Sequence, residues 1–230
     1  NIPMIVFINK LDREGKDAFD SMDEVEKKLK LRVTPLSFPI GMGYDFQGIY
    51  NIWEKNINLF EGDSRKNIEE TIAFDDINNP ELEKIIGEKP ANRLREELEL
   101  IEEVYPAFSR ERYLAGDLQP VFFGSALNNF GVRELLDCFV EIAPTPRAKE
   151  SDTRLVNPEE EKLSGFVFKI HANMDPKHRD RLAFIKIVSG TFEKNKPYLH
   201  VRLGKNLKFS SPNAFFPEKK EIVDISYPGD

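Results

Sequence analysis

The residues best suited to chemistry follow the first apolar run of the chain. Asn9, Lys10 and Asp12 come directly after the strand-like sequence Ile-Val-Phe-Ile. Short apolar runs of this type are typical of buried parallel strands, and α/β folds bind ligands at the carboxyl ends of such strands. An amide, an ammonium and a carboxylate at that position predict a polar ligand site. An Asp that only caps the next helix would leave the same pattern.

A second polar turn follows another short apolar strand much later in the chain. The sequence Pro-Val-Phe-Phe leads into Gly124-Ser125-Ala126-Leu127, and the apolar spacing then predicts a helix over residues 131–142 that ends before Pro144. A Ser that caps this helix is the alternative interpretation. The order of strand, polar turn, long insertion, strand, polar turn and helix has few accidental origins.

The first of these turns resembles the guanine-specificity motif Asn-Lys-x-Asp of P-loop GTPases. The resemblance implies that the Asp12 carboxylate accepts hydrogen bonds from guanine N1–H and the exocyclic amine. It also implies that the Lys10 stem packs over the purine and that Asn9 ties the loop to neighbouring backbone. Because an unpaired carboxylate is costly in a desolvated pocket, bases without both donors should be rejected.

The second turn resembles the Ser-Ala-Leu or Ser-Ala-Lys loop of the same family, in which the Ala amide donates to guanine O6. Ser125 and Ala126 would therefore read O6. The predicted nucleotide-binding residues are Asn9, Lys10, Asp12, Ser125, Ala126 and Leu127.

The insertion between the two turns, and the sequence after them, resemble translational GTPases. Loops this long inside a domain carry structure of their own, and residues 32–119 are similar to the insert of ribosomal translocases. The sequences over residues 120–131 and 163–181 most resemble the bacterial GTPase release factors of the peptide chain release factor three family. That resemblance implies a role on the ribosome, where the GTP form helps to remove codon-reading release factors after peptide release. A translocase, a ribosome-protection GTPase or a non-enzymatic adaptor that binds RNA or protein remain alternatives.

The phosphate-binding half of a GTPase is not found in these 230 residues. They contain neither Gly-x-x-x-x-Gly-Lys-[Ser/Thr] nor an Asp-x-x-Gly switch with the catalytic His that follows it, and the chain opens on an apolar strand without an initiator Met. We therefore interpret it as an excised piece of a larger protein. GTP or GDP with Mg²⁺ is expected in the full-length protein. We predict no catalytic residue, no metal site and no GTP hydrolysis by the piece alone.

Composition limits the remaining classes of function. A single cysteine, Cys138, cannot form an intramolecular disulfide, which favours a reducing, cytoplasmic location, and no apolar run is long enough to span a bilayer. The net charge of −7 argues against a DNA-binding protein. Residues 161–230 nevertheless hold 13 Lys and Arg against 8 Asp and Glu, a balance of +5. Ribosomal RNA is thus a possible partner of this part, with Lys177, Arg179 and Arg181 as candidate contacts, although a charged loop between strands needs no partner.

The elements that must hold the two turns are predicted to form an α/β domain followed by a β-rich one. Residues 1–147 are expected to be the C-terminal part of a P-loop GTPase domain, residues 148–162 a linker, and residues 163–230 an incomplete β-barrel. A helix is predicted over residues 19–31, and an antiparallel meander over residues 32–60. The apolar face of the helix at residues 131–142 is expected to bury Val132, Leu135, Leu136, Phe139 and Val140.

Overall fold

The computed structural model describes residues 2–60, 71–172, 181–215 and 220–230. The chain divides into two compact units, Asn1–Ala143 and Pro144–Asp230. None of the described helices is both long enough and apolar enough to cross a membrane.

The strands described in the first unit are β1 Val6–Ile8, β2 Val33–Pro35, β3 Ser37–Ile40, β4 Gly48–Asn51, β5 Asn56–Leu59, β6 Thr71–Ala73 and β7 Gln119–Phe123. Its helices are α1 Ala18–Leu29, α2 Glu81–Ile86, α3 Glu88–Val104, α4 Arg110–Ala115 and α5 Val132–Ile142, with short 3₁₀ turns at Gly43–Asp45 and Ala126–Asn128.

A three-stranded parallel sheet with the order β1-β7-β2 forms the centre of this unit. Every residue of β7 is buried, as expected for a central strand. Proline lacks a backbone N–H, and Pro120 is tolerated here because β1 pairs with β7 only from Val121 onward. Val121 and Phe123 face one hydrophobic core while Phe122 faces another, so the sheet is covered on both sides.

The meander predicted over residues 32–60 is partly wrong. Its first strand, β2, runs parallel to β7, and the antiparallel sheet begins only at Ser37, with the order β3-β4-β5-β6. Leu36 is the crossing point, because its N–H donates to Val121 O while its carbonyl accepts from Ile52 N at 2.9 Å. The apolar pattern of the two short strands is continuous, and it therefore hides the change of sheet.

The helices predicted at residues 19–31 and 131–142 correspond to α1 and α5. Helix α1 begins after Asp17, whose side chain accepts from Phe19 N at 2.9 Å, and it ends at Lys30, which has a left-handed backbone.

The predicted inner face of α5 is partly wrong, because Leu135 packs against a core as expected while three of the other four predicted residues are exposed. Glu134, Cys138 and Ile142 are buried, whereas Leu136, Phe139 and Val140 are 52, 49 and 80% exposed. Counting apolar residues misplaces the face because buried Glu134 is bonded through Oε1 to the side chain of Asn58 in β5.

The second unit is built from strand pairs. Its described strands are β8 Lys149–Glu150, β9 Leu155–Val156, β10 Ser164–Ala172, β11 Arg181–Ser189, β12 Phe192–Glu193, β13 Pro197–His200, β14 Lys205–Lys208, β15 Asn213–Phe215, β16 Lys220–Ile222 and β17 Ile225–Ser226, with a 3₁₀ turn at Val201–Leu203.

Each of these strands pairs with one other. The antiparallel ladders are β8-β9, β10-β11, β12-β17, β13-β14 and β15-β16. The long β10-β11 ladder contains the two strands predicted near residues 165–170 and 181–188. Residues 148–162, predicted as a linker, hold the small β8-β9 hairpin, beside which Arg154 bonds the Glu160 carboxylate through both terminal nitrogens at 2.7 Å.

Candidate functional site

The two polar turns lie side by side at one edge of the parallel sheet. We call residues 9–12 the first loop and residues 124–127 the second loop. The first follows β1 and the second follows β7, and the last residues of these strands, Ile8 and Phe123, are paired in register. Since parallel strands end at the same edge, the fold brings together two segments that are far apart in sequence.

Hydrogen bonds join the two loops directly. Gly124 N donates to Ile8 O at 3.1 Å, and Leu11 N donates to Gly124 O at 3.2 Å. The side-chain oxygen of Asn9 accepts from Lys10 N at 2.8 Å and from Ala126 N at 2.9 Å. Asn9 is thus the side chain through which the first loop holds the second.

Ala126 and Ser125 have partners within the protein. The Ala126 amide, predicted to read guanine O6, donates to Asn9. The Ser125 side chain is 1% exposed and its hydroxyl accepts from Asn128 Nδ2 at 2.9 Å. Ser125 and Phe130 also exchange two backbone hydrogen bonds of 3.0 Å, which close the turn around residues 126–129.

Two glycines permit this closed turn. Gly131 has a φ of +73°, in the left-handed region that favours glycine. A Cβ added to Gly124 would lie 2.3 Å from the Phe130 carbonyl oxygen. The second loop is therefore held in one shape by contacts that larger residues would disrupt.

The remaining predicted residues are accessible to a ligand. Lys10 is exposed and has a φ of 73°, a backbone strain of the kind that accumulates at binding sites. The Asp12 side chain is 19% exposed, and Arg13 Nε lies 3.8 Å from its Oδ2. Leu127 is 82% exposed. Arg13 was not predicted as a site residue, although its place directly after Asp12 was a visible signal.

Residues of the segment 32–119 also contact the first loop and the end of β7 before the second loop. Gly43 N donates to Leu11 O at 3.0 Å, and Ser37 Oγ accepts from Phe123 N at 3.0 Å. Sequence reasoning missed both residues. Gly43 was visible only as a turn signal, and no sequence signal distinguishes Ser37 from any other polar residue in a strand.

A cavity of about 90 Å³ lies between the first loop and the start of α1. Lys10, Leu11, Arg13, Lys16 and Met42 are among its lining residues. Asp12, Ser125 and Ala126 do not line it. This cavity is therefore not where the predicted base-reading groups meet.

Cys138 is a core residue. Its side chain is 1% exposed, and burial, together with the nearby charges of Glu141 and Glu54, raises the pKa of its thiol to about 12. A thiol with so high a pKa is a poor nucleophile. Within the described part of the chain, no group of three His, Cys, Asp or Glu side chains could hold a metal ion.

The predicted RNA contacts are only partly described. Lys177 and Arg179 lie outside the described residues, and Arg181 is an exposed residue at the start of β11. Two neighbouring lysines have partners within the second unit. Lys186 Nζ donates to Gly229 O, and Lys169 Nζ lies 5.8 Å from the centre of the Phe184 ring.

Comparison with protein families assigns both parts of the chain. Residues 1–145 match the family described as the elongation factor Tu GTP binding domain. Residues 162–230 match elongation factor G domain 2. Both families are domains of translational GTPases, which act on the ribosome. The chain therefore belongs to the translational GTPase family.

Proposed function

We propose that this chain supplies the guanine-reading part of a translational GTPase that acts in translation termination. The observation that carries the guanine assignment is the bonded pair of loops, in which Ala126 N lies 2.9 Å from Asn9 Oδ1 and Leu11 N lies 3.2 Å from Gly124 O. A carboxylate from one loop and backbone amides from the other then approach the edge of one ligand.

The residues of the two loops suit a guanine. Asp12 offers a partly exposed carboxylate for N1–H and the exocyclic amine, and the exposed Lys10 stem offers a surface for the purine ring. Because Asn9 already accepts from Ala126, guanine O6 would share or replace that hydrogen bond. Ser125 acts by keeping the second loop folded, since its hydroxyl is bonded to Asn128.

These residues suit the guanine base, but the sequence has no motif that would bind the phosphates. No Gly-x-x-x-x-Gly-Lys-[Ser/Thr] sequence occurs among the 230 residues. Other groups must therefore bind the phosphates and support the Mg²⁺-assisted hydrolysis of GTP. In our proposal the chain alone does not hydrolyse GTP, and catalysis belongs to the full-length protein.

More specifically, we propose that the chain is part of a GTPase of the release factor three type. Such a GTPase promotes the recycling of codon-reading release factors in the cytoplasm. Its support is the resemblance over residues 120–131 and 163–181, of which residues 173–180 lie outside the described structure. We further propose the division into a GTPase portion at 1–147 with an insert at 32–119, a linker at 148–162 and a partial barrel at 163–230. The basic balance of the last part favours ribosomal RNA as its partner.

A release assay on the ribosome tests this assignment. Ribosomes that have released their peptide and still hold a codon-reading release factor are mixed with the full-length protein and GTP. We expect GTP-dependent dissociation of the release factor and no movement of the messenger RNA. Translocation instead would assign the protein to the translocases, and inactivity together with failure to bind GTP would favour the adaptor.

A further inference from the structure

The last amide of β7 is satisfied by a side chain rather than by a neighbouring strand. Toward β2, Gln119 N donates to Arg32 O at 2.8 Å at the start of the strand. β2 ends at Pro35, and the chain then leaves the parallel sheet at Leu36. Phe123 N therefore has no strand residue of β2 opposite it. It donates to Ser37 Oγ at 3.0 Å.

This hydrogen bond is completely buried. Ser37 and Phe123 are both 0% exposed, so bulk water does not reach this hydrogen bond in the folded protein. A buried N–H without a partner is unfavourable, and the peptide group would move to find one.

The peptide of Phe123 leads directly into the second loop. The next residue, Gly124, donates to Ile8 O and accepts from Leu11 N, and Ala126 donates to Asn9. A shift at Phe123 therefore changes how the second loop is placed against the first. The backbone of Leu36 is held independently, because its N–H donates to Val121 O at 2.9 Å. Removing the Ser37 hydroxyl should thus leave the insert attached.

We propose that Ser37 is a positioning residue for nucleotide recognition, which fixes the second loop so that the Ala126 amide can read guanine O6. This inference rests on the proposed function of the two loops. It assigns to the segment 32–119 a part in base specificity that acts through the second loop, carried by one hydroxyl group 86 residues from the strand end that it holds.

The test uses the full-length protein and compares GDP, 6-thio-GDP and IDP by equilibrium titration, with ADP as the control for base recognition. GDP and 6-thio-GDP differ only at position 6, where sulfur is the weaker acceptor, while IDP lacks the exocyclic amine read by Asp12. We expect Ser37→Ala to weaken GDP binding about three- to tenfold, as expected for one lost hydrogen bond. It should also reduce the preference for GDP over 6-thio-GDP and leave the ratio of GDP to IDP affinity unchanged.

Two further variants separate positioning from general loss of stability. Ser37→Thr keeps the hydroxyl and should keep the wild-type ratio of GDP to 6-thio-GDP affinity. Ile57→Val removes a buried methyl group of the same insert, in β5, and should lower the melting temperature without changing that ratio. If Ser37→Ala does not fold, Ser37→Cys has a similar size and replaces the oxygen with a weak acceptor, and the same loss of preference is expected.

An unchanged GDP to 6-thio-GDP ratio in Ser37→Ala, or in Ser37→Cys where that variant is needed, overturns the positioning role. The positioning role is also overturned if Ile57→Val reduces the preference for GDP over 6-thio-GDP as much as the Ser37 variant does. A wild-type protein that binds ADP as tightly as GDP contradicts the proposed function of the loops themselves, which is a distinguishable result.

Discussion

At the residue scale, the candidate site depends on a few small contacts rather than on a deep pocket. Asn9 accepts from two backbone amides, one in each loop. Gly124 is bonded on one side to Ile8 and on the other to Leu11. These bonds fix the distance between the loops, and a site held in place by the protein's own contacts favours tight and selective binding.

We predict that Gly124→Ala destabilises the first unit by about 1–3 kcal/mol, because the added Cβ would lie 2.3 Å from Phe130 O. Urea denaturation followed through Trp53, the only tryptophan in the chain, measures this change. Gly15→Ala is the matched control, since a Cβ there meets nothing closer than 4.0 Å. Equal stability of Gly124→Ala and wild type would contradict the described packing of the second loop.

The sequence was most informative about residues next to apolar strands. Asn9, Lys10 and Asp12 could be identified because the four residues of the motif are consecutive in the sequence. The role of Ser37 could not be predicted, because it depends on β2 ending at Pro35 opposite a strand 86 residues away. Such register information is not present in local composition.

At the element scale, α5 and the insert hold each other. Asn58 Nδ2 of β5 donates to Glu134 Oε1 of α5 at 2.5 Å, and Trp53 Nε1 donates to Glu141 Oε2 at 3.2 Å. Because α5 follows the second loop directly, this contact connects the insert with the base-reading edge. The same contact explains why the helix buries Glu134 and exposes Val140, against the expectation from apolar spacing.

Asn58→Ala is expected to lower the free energy of unfolding by about 1–3 kcal/mol, because it removes a side-chain hydrogen bond to the buried Glu134 carboxyl group. The exposed Asn92→Ala in α3 is the control and should change stability by less than about 0.5 kcal/mol. Chemical denaturation of both variants measures the difference. Similar stabilities would show that the contact between β5 and α5 is not a significant source of stability.

At the scale of the whole molecule, two units of different composition are joined in one chain. The first holds a parallel sheet, an antiparallel sheet and helices, and the second is a set of strand pairs. The sequence predicted both fold types, because short apolar strands followed by helices differ clearly from closely spaced strands with turn residues. Which strands of the second unit pair could not be predicted, since β12 and β17 are joined across more than thirty residues of intervening chain.

Acid should weaken the first unit through Glu24. Hydrogen bonds and charges from Lys16, and then from Lys28, lower the pKa of the Glu24 carboxyl from 4.5 to about 2. A lowered pKa in the folded state means that the ion pairs stabilise the fold above pH 4.5, and that this contribution is lost as the pH falls toward 2. Glu24→Gln should therefore flatten the decline of the melting temperature over that range. A decline identical to that of wild type would contradict this assignment.

Nucleotide binding by the 230-residue chain alone is expected to be weak, because the two loops contact only the base in our proposal. Millimolar GTP should therefore leave its melting temperature unchanged in a thermal shift assay. A clear stabilisation would mean that phosphate-binding groups are present among these residues.

Titration of the Asp12→Asn variant of the full-length protein with GDP and with XDP tests whether the two loops read one guanine. Xanthine carries a carbonyl oxygen where guanine has its exocyclic amine, so an amide at position 12 can pair with it while a carboxylate cannot. We predict that the variant loses GDP affinity by at least about a hundredfold and gains affinity for XDP. Unchanged GDP affinity in the variant would show that Asp12 does not read the base.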